Sequence, residues 1–318
     1  MNRIIAFDYL RSIAILGIVM CHFCFNFRAT VWFAGWCGGT FNVLFLMMSA
    51  LLLGLTWNKN GRPQYGLDFL KHRFGKLSRT YYLFLIVMFA FCFAVGGYTI
   101  GVKDVVMHFA YLPWFDKLDG FGHLWFMTMI AICYMGVLVV SRLKLAWGGQ
   151  LWFVYSLMIF VAIALMFLLG RRGLPGYMFL YLTVFVISFI EAENIVQMAY
   201  NRSRIITIVQ VIIVSTSLYA LFAYNMTDEI TKLICMFAAF SLFGLSMMGL
   251  NEAKSNKVVS FVAGISFEIY LVHHIIAFGR FSVMKVAPNW WTGFLLLITV
   301  SIVLSWCLNK ISCIKIRK

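Results

Sequence analysis

The sequence predicts an all-α integral membrane protein with about ten transmembrane helices and both termini in the cytoplasm. Of its 318 residues, 63% are hydrophobic and only 12% are charged, and the mean hydropathy is +0.91, which is too apolar for a water-soluble domain. Apolar runs long enough to cross a bilayer recur along the chain. Lys and Arg are concentrated in alternate loops, and the positive-inside rule then places both termini in the cytoplasm.

Ten apolar runs define the predicted spans. They cover about residues 5–27, 34–56, 80–97, 123–141, 150–169, 176–194, 205–225, 231–250, 258–280 and 290–308. No soluble segment or internal repeat interrupts them, so we expect one transmembrane domain over residues 1–318. The connections are short except for 57–79, predicted to be cytoplasmic, and 98–122, predicted to be external.

The net charge of +15 does not indicate a partner nucleic acid, because the basic residues lie in short loops between apolar runs. The eight cysteines are scattered, and nearly all lie inside apolar runs, so no disulfide framework is expected. Cys21-His22-Phe23-Cys24 has the wrong order for a haem attachment site. We therefore expect Cys21 and Cys24 to be small buried residues, and no metal cofactor.

The first span carries two ionisable residues on one stripe. Arg11 and His22 are eleven positions apart in the otherwise apolar run from Ile4 to Phe27. At 100° per residue this spacing returns to within about 20° of the starting direction, about 16 Å further along the axis. An ionisable side chain in hydrocarbon costs roughly 3 kcal/mol or more, so it marks a functional site by default. The pair predicts a polar track through the membrane, although a packing contact is the simpler alternative for His22 alone.

The segment 57–79 is the most basic loop. Arg73, Lys76 and Arg79 follow each other about one helical turn apart, which places them on a helical face at the cytoplasmic surface. Arg and Lys bind phosphate strongly, so this basic face suits a ligand with several phosphates. A positive-inside anchor that touches anionic lipid head groups has the same pattern. The sequence leaves both interpretations open.

The predicted external segment mixes aromatic residues with carboxylates. Its aromatic residues are Tyr98, Tyr111, Trp114, Phe115 and Phe121, and its carboxylates are Asp104, Asp116 and Asp119. Aromatic rings beside carboxylates can stack on sugar rings and bind their hydroxyl groups. An aromatic belt at the membrane interface gives the same sequence pattern. Both readings place these side chains at the outer surface.

The ninth span is the most polar after the first. Its polar residues include Ser266, Glu268, Tyr270, His273 and His274. The span enters from the cytoplasm near Val258, so the two histidines lie about 15 residues, or about 22 Å, from its cytoplasmic end. His22 reaches almost the same depth on the first span, and His123 approaches from outside at the start of the fourth. We expect these four histidines to meet in the outer half of the membrane.

This arrangement suits the transfer of a group across the membrane. A long donor such as acyl-CoA would leave its phosphates at the basic face and bring its thioester past Arg11 towards His22. Neutral histidine can deprotonate an acceptor hydroxyl as a general base, or accept the acyl group as a nucleophile. Glu268 or a second histidine such as His273 would orient the imidazole or assist proton transfer.

Several motifs together resemble the membrane-bound acyltransferase-3 family. They are the Arg11-x10-His22 pair, Phe45-Leu-Met-Met-Ser49 in span two, Arg73-x2-Lys76 before span three, His123-Leu-Trp-Phe126 at span four, and Ser266-x3-Tyr270-Leu-x-His273 in span nine. The chain departs from the family pattern at Ala50, where glycine is usual, and at Arg79, where proline often stands. The resemblance covers nearly the whole chain.

The resemblance implies ten spans and transfer of an acetyl group, or sometimes another acyl group, from cytoplasmic acyl-CoA to a sugar hydroxyl on the external side. It implies that His22 is the catalytic histidine and Arg11 the donor-channel arginine. On the acceptor side, we expect substrate contacts from His123, Trp125, Tyr270 and His274. The expected setting is the lipid bilayer of a bacterial inner membrane, and the expected acceptor is a surface glycan or its lipid-linked precursor.

Two other functions remain open at this stage. A transporter or flippase that moves a glycan or acylated intermediate fits ten spans with intramembrane charges equally well. Such proteins usually show repeat-related halves with interrupted helices, and the sequence indicates neither. An acyltransferase with a non-sugar acceptor is the other alternative, since no motif in the external loops identifies the acceptor. The oligomeric state is also open, with a homodimer as one alternative.

Overall fold

The computed structural model describes residues 4–95, 100–115, 118, 120–143, 151–200, 203–279 and 281–314. Within these ranges the chain forms α-helices and short 3-10 turns, and no strand. The helices are α1 (Ile5–Cys24), α2 (Val31–Lys59), α3 (Leu67–Val95), α4 (Val102–Phe109), α5 (Trp125–Leu143), α6 (Leu151–Gly170), α7 (Tyr177–Ile190), α8 (Ala192–Tyr200), α9 (Arg204–Ala223), α10 (Asp228–Gly249), α11 (Lys257–Gly264), α12 (Ser266–Ala277) and α13 (Trp290–Ser312).

Eight helical segments of the described chain are long and apolar enough to cross a membrane. The number rises to ten if each of two bent helix pairs, α7 with α8 and α11 with α12, counts as one span. The prediction of an all-α polytopic membrane protein is therefore confirmed. The orientation of the termini stays a prediction.

The chain divides into two compact units. The first comprises Met1–Gly66 and Cys133–Ser260, and the second comprises Leu67–Ile132 and Phe261–Lys318. The first unit contains α1, α2 and α6 to α10, and the second contains α3, α4, α12 and α13. The divisions fall between α2 and α3, inside α5 and inside α11.

Small residues let the helices of the first unit approach closely, as is common in membrane proteins. A Cβ atom added at Gly39 of α2 would lie 2.6 Å from the Cys235 Sγ of α10, so only glycine fits there. Trp36 on the same face donates from Nε1 to the Ser217 Oγ of α9 at 2.8 Å. The nearby thiol of Cys21 is buried and free, as is that of Cys24. The prediction for these two cysteines is confirmed.

Two predicted spans are broken helices. The axis turns by 80° between α7 and α8, at Glu191, and by 70° between α11 and α12, at Ile265. At the second break, Ser266 Oγ donates to the Ala263 carbonyl at 2.9 Å, replacing part of the lost helical hydrogen bonding. The expectation of uninterrupted helices is wrong at both places. The predicted depth of about 22 Å for the ninth-span histidines is therefore also wrong. The rise of 1.5 Å per residue gives a distance along one straight axis, and the axis turns by 70° between Val258 and the histidines.

The predicted external segment does not stay at the C-terminal end of α3. The Tyr111 hydroxyl lies 2.8 Å from Ser78 Oγ, and the Tyr111 ring packs edge-on against Phe74. Ser78 stands 17 residues before Val95, the last residue of α3, which is about 25 Å of helix axis. The chain therefore turns back along α3 as a re-entrant segment.

Hydroxyl donors on α3 make this return path feasible. Tyr81 and Tyr82 donate from their hydroxyl groups to the carbonyls of His108 and Phe109, at 3.0 Å each. These carbonyls lie in the last turn of α4, beyond its regular helical hydrogen bonds, and the His108 carbonyl also accepts from the Tyr111 backbone N–H at 3.3 Å. Hydropathy does not signal such a segment, because its eight-residue helix is too short to register as a span.

Two readings of the aromatic residues are corrected by this path. Tyr111 and Phe121 are buried, and Trp114 packs edge-on against Trp125 with ring centroids 5.2 Å apart. These rings are packing residues of the second unit, neither an interfacial belt nor a sugar platform. Tyr98, Asp116 and Asp119 lie outside the described residues.

Candidate active site

Arg11 and His22 lie on the unbroken helix α1 of the first unit. Both side chains are half-buried, and most other residues of this helix are apolar. Two hydrogen bonds fix the N-terminal half of α1, from Tyr9 Oη to the Lys254 carbonyl at 3.1 Å and from Ser12 Oγ to the Val259 carbonyl at 3.0 Å. The helix thus holds both ionisable groups on a rigid frame, as the spacing predicts.

The C-terminal end of α1 is closed by a side-chain cap. Asn26 Nδ2 donates to the carbonyls of His22 and Phe23, at 3.0 and 3.2 Å. The His22 ring lies next to Phe25, with centroids 6.3 Å apart. The imidazole therefore sits in the last turn of the helix, where the helix dipole favours a positive charge such as the imidazolium formed during general-base catalysis.

The three basic residues lie on α3, because that helix begins at Leu67 rather than at the start of the apolar run. Lys76 and Arg79 are exposed, whereas Arg73 is half-buried with its guanidinium 5.7 Å from the Phe69 ring centroid. Arg79 donates from Nη2 to the Ile314 carbonyl at 3.0 Å. Arg79 thus has a structural partner in addition to any ligand, while Lys76 faces outward.

Three of the four histidines meet in the second unit. His123 donates from Nε2 to the Leu271 carbonyl at 3.0 Å, and His274 donates from Nδ1 to the Gly120 carbonyl at 2.9 Å. The two rings stack with centroids 4.6 Å apart and planes inclined by 16°. His273 completes the group, at 5.4 Å from the His123 centroid and edge-on to it.

The backbone fixes the tautomers in this histidine cluster. His273 is fully buried, and its Nδ1 donates to the carbonyls of Ile269 and Tyr270 at 2.9 Å each. A carbonyl only accepts, so in the neutral ring Nδ1 carries the proton and Nε2 carries the lone pair. Tyr270 donates from its hydroxyl to the His123 carbonyl. Tyr270 therefore holds the start of α5 and its half-buried Trp125 in position.

Glu268 lies in the first turn of α12, where the helix dipole favours a negative charge. Its side chain is 5% exposed, and Oε1 accepts a hydrogen bond from Asn309 Nδ2 of α13 at 2.8 Å. His273 is five residues further on, about 7.5 Å along the axis. Because the Nδ1 of His273 donates to its own helix, the backbone rather than Glu268 orients that side of the ring.

The structure thus groups His123, His273, His274 and Tyr270 in the second unit, while His22 and Arg11 belong to the first. Sequence reasoning missed Asn309, which lies one residue beyond the predicted tenth span; a polar residue at that edge was its only signal. No group of three metal-ligating side chains occurs among the described residues.

The family assignment follows from the whole helical chain. Residues 4–310 match the acyltransferase-3 family, described as an acyltransferase domain. The chain belongs to the acyltransferase-3 family. This membrane acyltransferase has no significant match among curated proteins or among solved structures.

Proposed function

We propose that this acyltransferase moves an acetyl group from cytoplasmic acetyl-CoA to a hydroxyl of a cell-surface glycan or its lipid-linked precursor, in a bacterial inner membrane. The observation that carries the proposal is the family match over residues 4–310, combined with Arg11 and His22 on one rigid helix. Transfer to a hydroxyl requires a base or a nucleophile in an apolar setting, and a half-buried histidine supplies either.

The donor is assigned to the cationic groups. Arg73 and Lys76 would bind phosphates of acetyl-CoA, with Arg79 adding charge from a side chain that also holds Ile314. Arg11 would contact the pantetheine arm, whose amides offer carbonyl acceptors to a guanidinium. An anchoring role of the basic face at anionic lipids is the alternative, and it predicts no effect on donor affinity.

The reaction is assigned to His22. In the direct route, an imidazole nitrogen takes the proton of the acceptor hydroxyl while the oxygen attacks the thioester carbonyl. The C–S bond then breaks, and the CoA thiolate recovers the proton from the imidazolium. In the two-step route, an imidazole nitrogen attacks the thioester carbonyl, the C–S bond breaks, and the CoA thiolate leaves with the imidazole proton. The acceptor oxygen then attacks the acetyl group, the C–N bond breaks, and the freed imidazole takes the hydroxyl proton. Glu268 and His273 would assist proton movement, and His123, Trp125, Tyr270 and His274 would contact the acceptor.

A transporter or flippase is the second candidate, and one observation favours it. The two helices broken at Glu191 and Ile265 are a feature that transporters use to line substrate sites at membrane depth. Movement without chemistry would leave His22 dispensable. The two proposals therefore differ in whether the His22→Ala variant loses its function.

The test is transfer of labelled acetyl from acetyl-CoA by the purified protein, with extracted surface glycan as the acceptor and water as the default acceptor. We expect His22→Ala to lower turnover by about a thousandfold, because it removes the base or nucleophile. Thermal stabilisation by CoA should be kept in the same samples. His72→Ala is the matched control, since His72 is an exposed histidine of α3 without a proposed role.

Loss of transfer with CoA binding retained supports the catalytic role of His22. If the wild type neither binds CoA nor transfers the label while its native glycan is present, the enzyme proposal fails. Glycan movement across proteoliposomes by the His22→Ala variant would then favour the transporter.

A further inference from the structure

One half-buried cation of the first unit has no role in the mechanism above. Lys232 lies in the second turn of α10, and its ammonium is 5.5 Å from the centroid of the Tyr177 ring on α7. Such a cation–π contact stabilises a positive charge but does not neutralise it. A half-buried ammonium in the second turn of a membrane helix is a candidate for binding an anionic ligand.

The neighbouring carboxylates do not neutralise Lys232. Asp228 and Glu229 are four and three residues earlier on α10, the spacing at which helical ion pairs form. Lys232 nevertheless makes no ion pair within 4 Å with any described residue. The Glu229 carboxylate lies instead against Gly170 at the end of α6. The ammonium therefore keeps a positive charge available to a ligand.

The packing of the first unit places Lys232 at the level of His22. Phe7 near the start of α1 contacts Phe243 near the end of α10, with ring centroids 6.2 Å apart. At the other end of α1, the thiols of Cys21 and of Cys235 on α10 pack against the neighbouring glycines Gly38 and Gly39 of α2, and Lys232 lies three residues before Cys235. The two helices thus run antiparallel, and the cation lies beside the turn that carries the proposed catalytic histidine.

Two further cations lie beside the start of α10. Arg171 and Arg172 are exposed in the turn after Gly170, the residue against which Glu229 packs. Exposed cations beside a half-buried one raise the local concentration of anions and guide them inward. Together with Lys232, these cations outnumber the two carboxylates in the first turn of α10 by three to two, so the approach to Lys232 has a net positive charge, on the side of the membrane where the acceptor is expected.

We propose that Lys232, seated on Tyr177, is an anion subsite for the acceptor, and that the acceptor is a sugar bearing a carboxylate or a phosphate. The identification of the bound sugar as the acceptor rests on the proposed function, whereas the anion subsite itself does not. The ammonium would donate to the anionic group and hold the sugar ring beside the last turn of α1. Lys232 is a binding residue in this proposal and takes no part in bond making.

The first experiment measures binding without chemistry. The full chain is placed in nanodiscs of neutral phosphatidylcholine, and its thermal unfolding is followed with methyl β-glucuronide, glucose 1-phosphate or the uncharged methyl β-glucoside. We expect at least one anionic sugar to bind about tenfold more tightly than the glucoside, which corresponds to one charge-assisted hydrogen bond. Preference for the glucuronide or for the phosphate identifies which anion the acceptor carries.

Variants then assign the preference to one side chain. Lys232→Gln should remove the tenfold difference, and Lys232→Arg should keep most of it. Lys285→Gln is the matched control, because Lys285 is an exposed lysine on the same predicted side of the membrane. The proposal is overturned if the wild type shows no anion preference, or if the preference survives in Lys232→Gln.

A parallel assay separates this inference from the proposed function. Transfer of labelled acetyl to the three sugars is measured with the same samples. A charge preference in binding without any transfer or hydrolysis leaves the anion subsite standing and counts against the acetyltransferase. If charged and uncharged sugars bind equally and accept the acetyl group equally, the anion subsite is overturned and the acetyltransferase is supported.

Discussion

The first and ninth predicted spans hold the two sets of candidate catalytic residues, and they use polar side chains in different ways. Helix α1 is unbroken, so its backbone needs no help from the ionisable side chains of Arg11 and His22, while its hydroxyl residues Tyr9 and Ser12 bond to carbonyls of another segment. The ninth span is broken at Ile265, and the polar groups around α12 bond to backbone carbonyls: Ser266 to Ala263, Tyr270 to His123, and His123 to Leu271. A polar residue in a membrane helix can therefore serve the chemistry or the fold, and helix continuity helps to tell which.

The largest expected contrast is between one histidine from each helix. His273→Ala should lower the free energy of unfolding by about 3 kcal/mol, because it opens a cavity at a fully buried site and removes a donor from two carbonyls. His22→Ala should lower it by less than about 1 kcal/mol, because His22 is half-buried. Reversible unfolding in mixed micelles measures both. Equal losses would remove the distinction between the two helices.

The next effect tests whether α1 serves the donor. Arg11→Ala should lower kcat/KM for acetyl-CoA by about a hundredfold, or about 2.7 kcal/mol of transition-state stabilisation, because a guanidinium in an apolar helix binds strongly to a polar partner. Arg11→Lys should lose about tenfold, since it keeps the charge but not the fork of donors. Steady-state kinetics with varied acetyl-CoA measures this. A kcat/KM within twofold of wild type in Arg11→Ala would assign Arg11 to packing.

A smaller effect concerns the buried carboxylate of α12. A double-mutant cycle with Glu268→Ala and Asn309→Ala should give a coupling free energy of about 1–2 kcal/mol in stability, because the 2.8 Å bond joins two buried polar groups. Glu268→Gln keeps an acceptor at that place and should retain most of the stability. If Glu268→Gln lost acetyl transfer at unchanged stability, Glu268 would instead take part in the reaction. The ninth span would then carry a catalytic side chain, as is proposed for the first.

The smallest effect is at the helix break itself. Ser266→Ala should cost about 1 kcal/mol of stability, because the Ala263 carbonyl loses its hydroxyl donor at the bend. Ser260→Ala, at a half-buried serine of α11, is the control and should change stability by less than about 0.5 kcal/mol. Hydrogen exchange of residues near 265 gives a second readout. Equal costs for the two variants would show that the break does not depend on Ser266.

Hydropathy was sufficient to predict most of the membrane spans. It reports the free energy of transfer from water to lipid, which depends only on the composition of each run of about 20 residues. The ends of α1, α6 and α9 fall within three residues of the predicted limits. Hydropathy does not see a bend at Ile265, since residues on both sides of the break are equally apolar. It also does not see Tyr111 beside Ser78, because that contact joins residues far apart in the chain.

The sequence by itself determined the fold class, the family and the stripe of Arg11 and His22, because each follows from local spacing or from an ordered set of motifs. Only the tertiary structure decided that His123, His273 and His274 share one cluster, that Glu268 is held by Asn309, and that Lys232 rests on Tyr177 at the level of His22. These pairings depend on helix bends and on antiparallel register. Both are set by packing between distant segments, which no local pattern encodes.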